Sequence, residues 1–498
     1  MLLVHPIQEI PRAIPAIFGA FVAGSSSGHN WWGLLSLVIV MAAGVLRWFT
    51  TTYRITPDAV QVRRGLIRRR ELSVPRDRVR TVDVTAHLMH RIVGLTRVTV
   101  GTGRSDRKND GVRLDGLTTT EAARLREELL HRRPVPAGSP APGGAGTSPV
   151  ASETPPIELA RLRPAWIGYG PFTLSGFVTV GIIAAFAWRA VNEAHIDPTR
   201  FGPLLAITNH LRHVSIGLAV AQVVAACLIF VAVASTVGYV LAFWGFRLTR
   251  HSAGTVHVTR GLITSRATTI EERRLRGVEL SEPLLLRWAG GARTIAIATG
   301  LRVGRGAERG GSLLFPPGPR AEAARVAGAV LRDHEPVTAS LVGHGTRARR
   351  RRYTRALAGA VVVVAVLSVV DRVTGGPAWA WEVALLALPV SIALAADRYR
   401  SLGHALVDGW LVARRGSVVR RRIMLGTDGI IGWNLAQSFF QRRAGLATLT
   451  ATTAAGRQGY AVPDVGLPEA LRLADAAKPG LLTPFLVGTA EPAASGSP

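Results

Sequence analysis

The chain has 498 residues, 48% of them hydrophobic, and a formal charge of +28 at pH 7. That length allows about three domains, and so high an apolar content beside so many arginines requires the apolar residues to be bunched. The single cysteine, Cys227, excludes a disulfide framework or a cysteine zinc site within the chain, and its apolar surroundings read it as a small buried hydrophobe. Nearly all the basic charge is arginine, the usage of a GC-rich genome, so the preference over lysine carries no functional weight. A balance this basic serves either nucleic acid or an anionic membrane surface. Placement decides between them. The clusters Arg47 to Arg54, Arg247 to Arg250, Arg347 to Arg355 and Arg398 to Arg400 abut apolar stretches, where cytoplasmic anchoring charge belongs. The expected partner is therefore a bilayer with anionic lipids, and no nucleic acid.

In chain order, the opening MLLVHPIQEIPRAIPAIFGAFVAG lacks a basic region ahead of a clean apolar core and reads as an uncleaved first span, roughly Ile10 to Ser27. Trp31 to Phe49 follows, 19 residues and ~28 Å long as a helix, enough for a hydrocarbon core. Further spans are expected at Tyr169 to Val191, Val214 to Phe246, Ala356 to Val370 and Ala378 to Ala396. About six spans thus form three hairpins, over 10–49, 166–246 and 353–396. The turns at one end of these hairpins are poor in arginine and the opposite flanks are rich. The positive-inside rule then sets both termini and everything between the hairpins in the cytoplasm of a multi-pass plasma-membrane protein.

After the first hairpin, Ala59 to Val62 alternates and turns at Gly65 into Leu66 to Val74, and alternation returns at Val79 to Val84 and Thr96 to Val100. A helical piece, His87 to Val93, ends at Gly94. Thr118 to His131 reads as a helix with Thr118 as cap and Glu121 three residues on, in capping-box spacing. Short strands closed by one amphipathic helix predict a small β-sandwich or barrel over 50–133. Proline, glycine and serine then dominate 134–157, a disordered linker. Similar β-rich domains are expected at 247–334 and 397–477, closed by helices at Ala321 to Leu331 and Pro468 to Ala477, with a tail over 478–498.

These domains are one unit used three times. Gly65, Gly261 and Gly416 each end a β-like run, and each is followed 29 residues later by Gly94, Gly290 and Gly445. An arginine stands three residues before that second glycine each time: Arg91, Arg287 and Arg442.

Tyr53 to Gly103 resembles the bacterial pleckstrin-homology (PH) domain of YdbS-like membrane proteins. The marks are the aromatic-Arg-Ile-Thr entry at Tyr53 to Thr56, the hairpin glycine Gly65, the segment Val74 to Val82 and the turn Arg91 to Leu95. The second copy, Phe246 to Gly300, keeps the FRLT entry, Gly261 and Arg287, but Ile270-Glu271-Glu272-Arg273 replaces the proline segment. The third, Tyr399 to Gly456, keeps both glycines and Arg442 and reads IMLGTDGIIGW in the middle. The resemblance implies integral-membrane proteins with cytoplasmic PH-like domains, no enzymatic activity, a loose link to cell-envelope stress and antimicrobial resistance, and frequent company of a second, shorter relative. The expected partner besides lipid is thus another membrane protein or a further copy of the chain.

Arg76, Arg78 and Arg91 in the first copy, with Arg273, Arg274 and Arg287 in the second, are candidates to converge on an anionic group or partner, because guanidinium forks suit phosphates and carboxylates. The competing reading pairs them with nearby acids such as Asp77 and Asp83. His195, His210 and His213 share an external loop, and the i, i+3 spacing of the last two could set two imidazoles on one helical face, but no recognised zinc set accompanies them. GLRVGRGAERGG lacks the Lys-Ser/Thr ending of a phosphate loop. Glu382 lies in a span beside Trp379 and Trp381, which mark headgroup depth. No catalytic, metal or cofactor site is expected. The leading expectation is a non-enzymatic display of PH-like domains for protein or lipid-headgroup interaction. The alternative is a component of a membrane export or transport system, gated by these domains.

Overall fold

A computed structural model describes residues 52–56, 59–64, 70–75, 81–86, 94–101, 112–118, 155–173 and 213–481 apart from 253, 302–311 and 376–378, with scattered positions between. The first two expected spans and most of the third lie outside the described residues.

Among the described residues each repeat supplies six strands. The first gives β1 (Thr52–Ile55), β2 (Ala59–Arg64), β3 (Arg70–Pro75), β4 (Thr81–Ala86), β5 (Leu95–Gly101) and β6 (Val112–Thr118). An additional strand, β7 (Ile157–Arg161), emerges where the linker was expected to end. The second repeat gives β8 (Arg247–His251), β9 (Thr255–Arg260), β10 (Ser265–Glu271), β11 (Leu275–Pro283), β12 (Gly291–Ala298) and β13 (Leu313–Pro319). The third gives β14 (Gly403–Val407), β15 (Trp410–Arg415), β16 (Val419–Gly426), β17 (Gly432–Ala436), β18 (Leu446–Thr452) and β19 (Gly459–Gly466).

Local chemistry explains the hairpins. In β9, Val256, Val258 and Arg260 are buried while their neighbours are half-exposed, the period of two expected of a strand with one covered face. Gly261 and Gly416 turn the chain with φ of +107° and +105°, and a Cβ there would stand 2.1 and 2.0 Å from the carbonyl oxygens of Thr264 and Val419. Only glycine fits. The capping box at Thr118 is present: Glu121 Oε2 accepts from the Thr118 backbone N–H at 3.0 Å, and the Glu121 N–H donates to Thr118 Oγ1 at 3.2 Å. The strand β6 was missed in the sequence, where it reads as loop.

The sheets cross the repeat boundaries, which three self-contained sandwiches did not predict. Two compact units are present. In the first, β1-β2-β3 forms one sheet and β6-β5-β4-β10-β9-β8-β7 another, so the fourth strand of repeat one pairs with the third strand of repeat two. In the second unit, β13-β12-β11-β16-β15-β14 repeats that pattern one repeat later, and β17-β18-β19 forms a separate sheet. The third repeat is a sandwich: Leu411, Ala413, Ile423 and Leu425 pack against Leu449, Ala451, Tyr460, Val462 and Val465, closed by Ala470, Leu473 and Ala474 of the final helix, Leu467–Ala477.

Among the described residues, two helices rather than about six are long and apolar enough to cross a membrane: α1 (Ile216–Phe243) and, after α2 (Leu284–Trp288) and α3 (Arg320–Leu331), α4 (Gly345–Thr374). The expected third span begins wrongly, because Pro164–Phe172 is a 3₁₀ segment whose Trp166 packs edge-on to Phe315 at 4.8 Å. The end of α1 docks beside it: Gly170 lies under Thr236, and Tyr239 donates to the Pro317 carbonyl at 2.7 Å. The expected sixth span, Ala378 to Ala396, is broken into α5 (Trp379–Leu385) and α6 (Ala387–Arg400). Pro389 lacks the N–H that would bond the Leu385 carbonyl, and neither piece alone matches a bilayer. Helix α4, by contrast, has 30 residues, ~45 Å against a hydrocarbon core of ~30 Å. Its arginine-rich first turns therefore extend beyond the apolar layer. Cys227 is exposed on α1 rather than buried in a core.

Candidate functional site

Arg76, Arg78 and Arg91 lie outside the described residues. Arg273 and Arg274 sit in a 3₁₀ turn just before β11, and Arg287 is in α2 just after it. Nine residues of extended chain separate these positions, ~27 Å along the strand, so the second repeat's three arginines are not brought to one point. Arg287 instead donates to Asp397 Oδ2 at 3.0 Å and to the Ser417 carbonyl at 3.4 Å. Arg420 holds the other oxygen of Asp397 at 3.0 Å.

Where β11 meets β16, the arginine run Arg420-Arg421-Arg422 faces buried acids. Glu279, 2% exposed, takes Arg421 at 3.3 Å and Arg457 at 3.2 Å. Glu282 takes Arg320 at 2.9 Å and Arg420 at 4.0 Å. Arg422 donates to the carbonyls of Pro336 and Ala339, and its pKa is pushed down to about 10 by burial and by the neighbouring cations Arg414 and Arg320. Buried ion pairs of this kind contribute little net stability when intact, yet losing one partner is costly.

A second charged cluster joins α4 to the third repeat. Asp464 is fully buried in the left-handed backbone region, φ +60°. Its two carboxylate oxygens bind Arg351 and Arg352, both from the run RARRRRYTR, and Gln441 donates to it at 2.9 Å. The run is thus more than a topological anchor. Beside it, His344 Nδ1 lies 2.9 Å from the Pro463 carbonyl, which can only accept, so this nitrogen carries the proton. His344 Nε2 is then free to accept from His404 Nδ1 at 3.1 Å. Burial first, and then the adjacent His404, push the His344 pKa down to about 4, in keeping with that neutral tautomer. His404 reaches Glu469 at 3.5 Å on its other side.

Among the described residues no group of three or more histidine, cysteine, aspartate and glutamate side chains is placed to hold a metal ion. The ring of His213 bonds the Asn209 carbonyl within its own turn. Among the described residues, guanidinium–carboxylate pairs tie α4 to the third repeat and the second repeat to the third. Sequence reading missed Asp464, Glu279 and His344. The one available signal was an isolated acid within an apolar strand pattern, in DVG and GVEL.

The family model described as "Bacterial PH domain" matches three segments, residues 10–133, 209–332 and 357–479. The UPF0699 transmembrane protein YdbT of Bacillus subtilis (strain 168) is 22% identical over 327 residues, an alignment covering 62% of this chain and 63% of that protein. The match therefore spans less than two thirds of the relative's length. No solved structure matches.

Proposed function

The chain belongs to the bacterial PH domain family, and on that premise we propose that it is a non-catalytic membrane protein whose three PH-like repeats are presented on the cytoplasmic face of the plasma membrane for interaction with proteins or lipid headgroups. Return spans that pair with α1 and α4 as hairpins, α5 and α6 together serving as one of them, and both termini inside complete this reading, and a role in envelope stress or antimicrobial resistance is its physiological side. The observation that carries it is the junction of α4 with the third repeat, where Arg351 and Arg352 close on the buried Asp464. Such a tie holds a β-domain at a fixed position against the bilayer, as a display module requires.

In this reading Arg76, Arg78 and Arg91 are the anionic-group or partner contacts of the first repeat. Arg273 and Arg274 are second-repeat contacts, while Arg287 serves the tie to Asp397. Reporter fusions placed in the 134–157 linker test the topology. A cytoplasmic signal is expected, and a signal from outside the membrane overturns it. Dye efflux by cells with and without the full chain tests the display role against export, and efflux that depends on Gln222, a polar residue within the apolar helix α1, or on Glu382 of α5 would favour export.

A further inference from the structure

The same inter-repeat ladder occurs twice, in the same register. In the first unit β4 pairs antiparallel with β10, Asp83 opposite Thr268. In the second unit β11 pairs antiparallel with β16, Glu279 opposite Ile423. Counted from the first glycine of each repeat, Asp83 and Glu279 both stand 18 residues on, and Thr268 and Ile423 both stand seven on. Three repeats joined this way leave one strand of each kind over. Among the described residues these are β3, at the edge of its sheet beside β2, and β17, at the edge of its sheet beside β18.

The leftover edge of β17 is open. Its counterpart β11, covered by β16, is buried from Gly277 to Pro283, whereas Asn434, Leu435 and Ala436 of β17 are exposed. Ile431, Phe439 and Phe440 flank it, each more than 60% exposed. An unprotected apolar strand edge is a template for another strand, and the complementary strand is already encoded in the same chain.

We propose that β17 of one copy pairs antiparallel with β3 of a second copy, in the register of the two internal ladders. This places Asn434 opposite Leu72, Leu435 opposite Glu71 and Trp433 opposite Ser73. The contact is head-to-tail, with one donor edge and one acceptor edge per copy, so it repeats from copy to copy until a ring closes. The inference deepens the display reading and rests on it, naming a second copy of the chain as partner.

Cysteine crosslinking of full-length chains in membranes tests it. Two differently tagged copies, both carrying Cys227→Ser, are co-expressed, one with Leu435→Cys and the other with Glu71→Cys. Asn434→Cys with Leu72→Cys forms a second pair, because alternate pairs of an antiparallel ladder differ in spacing and the two together cover both geometries. Mixed-tag dimers are expected for at least one of these pairs. Yield should be roughly tenfold above a control with Gln61→Cys on β2, which lies one strand further in. Absence of mixed-tag dimers from both pairs, with both copies present in the membrane, overturns the pairing. A third sample, one chain carrying both Leu435→Cys and Glu71→Cys, overturns it as well if the bond forms inside that chain with no increase in mass, which would mean that the two edges close on one another. A failed topology reporter in the linker overturns the display reading instead, so the two failures are distinguishable.

Discussion

The fourth strand of each repeat sits in a different setting, although the three share one repeat position. β11 is bonded on both sides and its Glu279 is locked by Arg421 and Arg457. β4 is bonded on both sides as well, but its Asp83 is poorly served. Carboxylate Oδ1 has no hydrogen-bond partner, and desolvation outweighs the help of Thr268, Arg266 and Arg260 and raises its pKa. β17 has one neighbour, and the acid's place is taken by Asn434, which is exposed. One backbone arrangement therefore carries a charged seam, a weakly compensated seam and an open edge. The ladder register comes from the hairpin geometry, while the side chains decide how firmly each seam is held.

Removing the acid of the firm seam has the largest expected effect. Glu279→Ala strands two partly shielded guanidinium groups and should destabilise the six-stranded sheet by about 3 kcal/mol, the low end for a broken buried pair because both arginines keep some access to water. Thermal unfolding of the full chain in detergent, with limited proteolysis to locate the loosened region, reads it. Unchanged stability would put the seam's strength in its backbone ladder instead.

Acid should weaken the same sheet through its far edge, where His404 of β14 meets His344. The folded-state pKa of His344, about 4, lies below its ordinary 6.5. The stability this histidine confers is present above pH 6.5 and is lost as pH falls toward 4, with a ceiling of about 3 kcal/mol. His344→Gln should flatten that part of the stability–pH profile, and an unaltered slope would assign it to other groups.

Much of this was legible in the sequence because repetition is a strong signal. The glycine pairs gave the hairpin turns at Gly261 and Gly416 and the helix-ending turns at Gly290 and Gly445, all four with positive φ. Apolar length gave α1 and α4, and the Thr118–Glu121 spacing gave a real capping box. Strand exchange between repeats was not legible, because a period-two pattern shows which face is covered and is silent about which strand lies alongside. The second repeat's candidate arginines stand apart for a related reason. Arg273 and Arg287 look close in sequence, but the extended strand between them sets them apart. Pro389 was visible within the expected sixth span, yet its effect depends on the carbonyl left unbonded at Leu385.

The weak seam should respond with the opposite sign. Because the pKa of Asp83 is raised on folding, its ionisation opposes folding, and stability falls as pH rises from its ordinary 3.8 through the raised value. Asp83→Asn should remove that slope and stabilise the seven-stranded sheet at neutral pH by about 1 kcal/mol, the scale of one poorly satisfied buried polar group. The mutant's pH–stability profile, set beside that of His344→Gln, reads the contrast directly. A loss of stability at neutral pH would mean that Asp83 is held as firmly as Glu279.

The open edge should give the smallest effect, confined to association. Leu435→Glu sets a carboxylate opposite Glu71 of the next copy, and like charges directly opposed in an antiparallel ladder cost a few tenths to about 1 kcal/mol. Crosslinking at the Asn434–Leu72 pair should fall about two- to fivefold, with unfolding of each copy unchanged. Adding Glu71→Lys makes the opposed charges attractive and should restore the yield. That rescue is the sharpest reading of register, because a strand slipped by one residue would place Glu71 opposite a different side chain and leave the double mutant no better than the single.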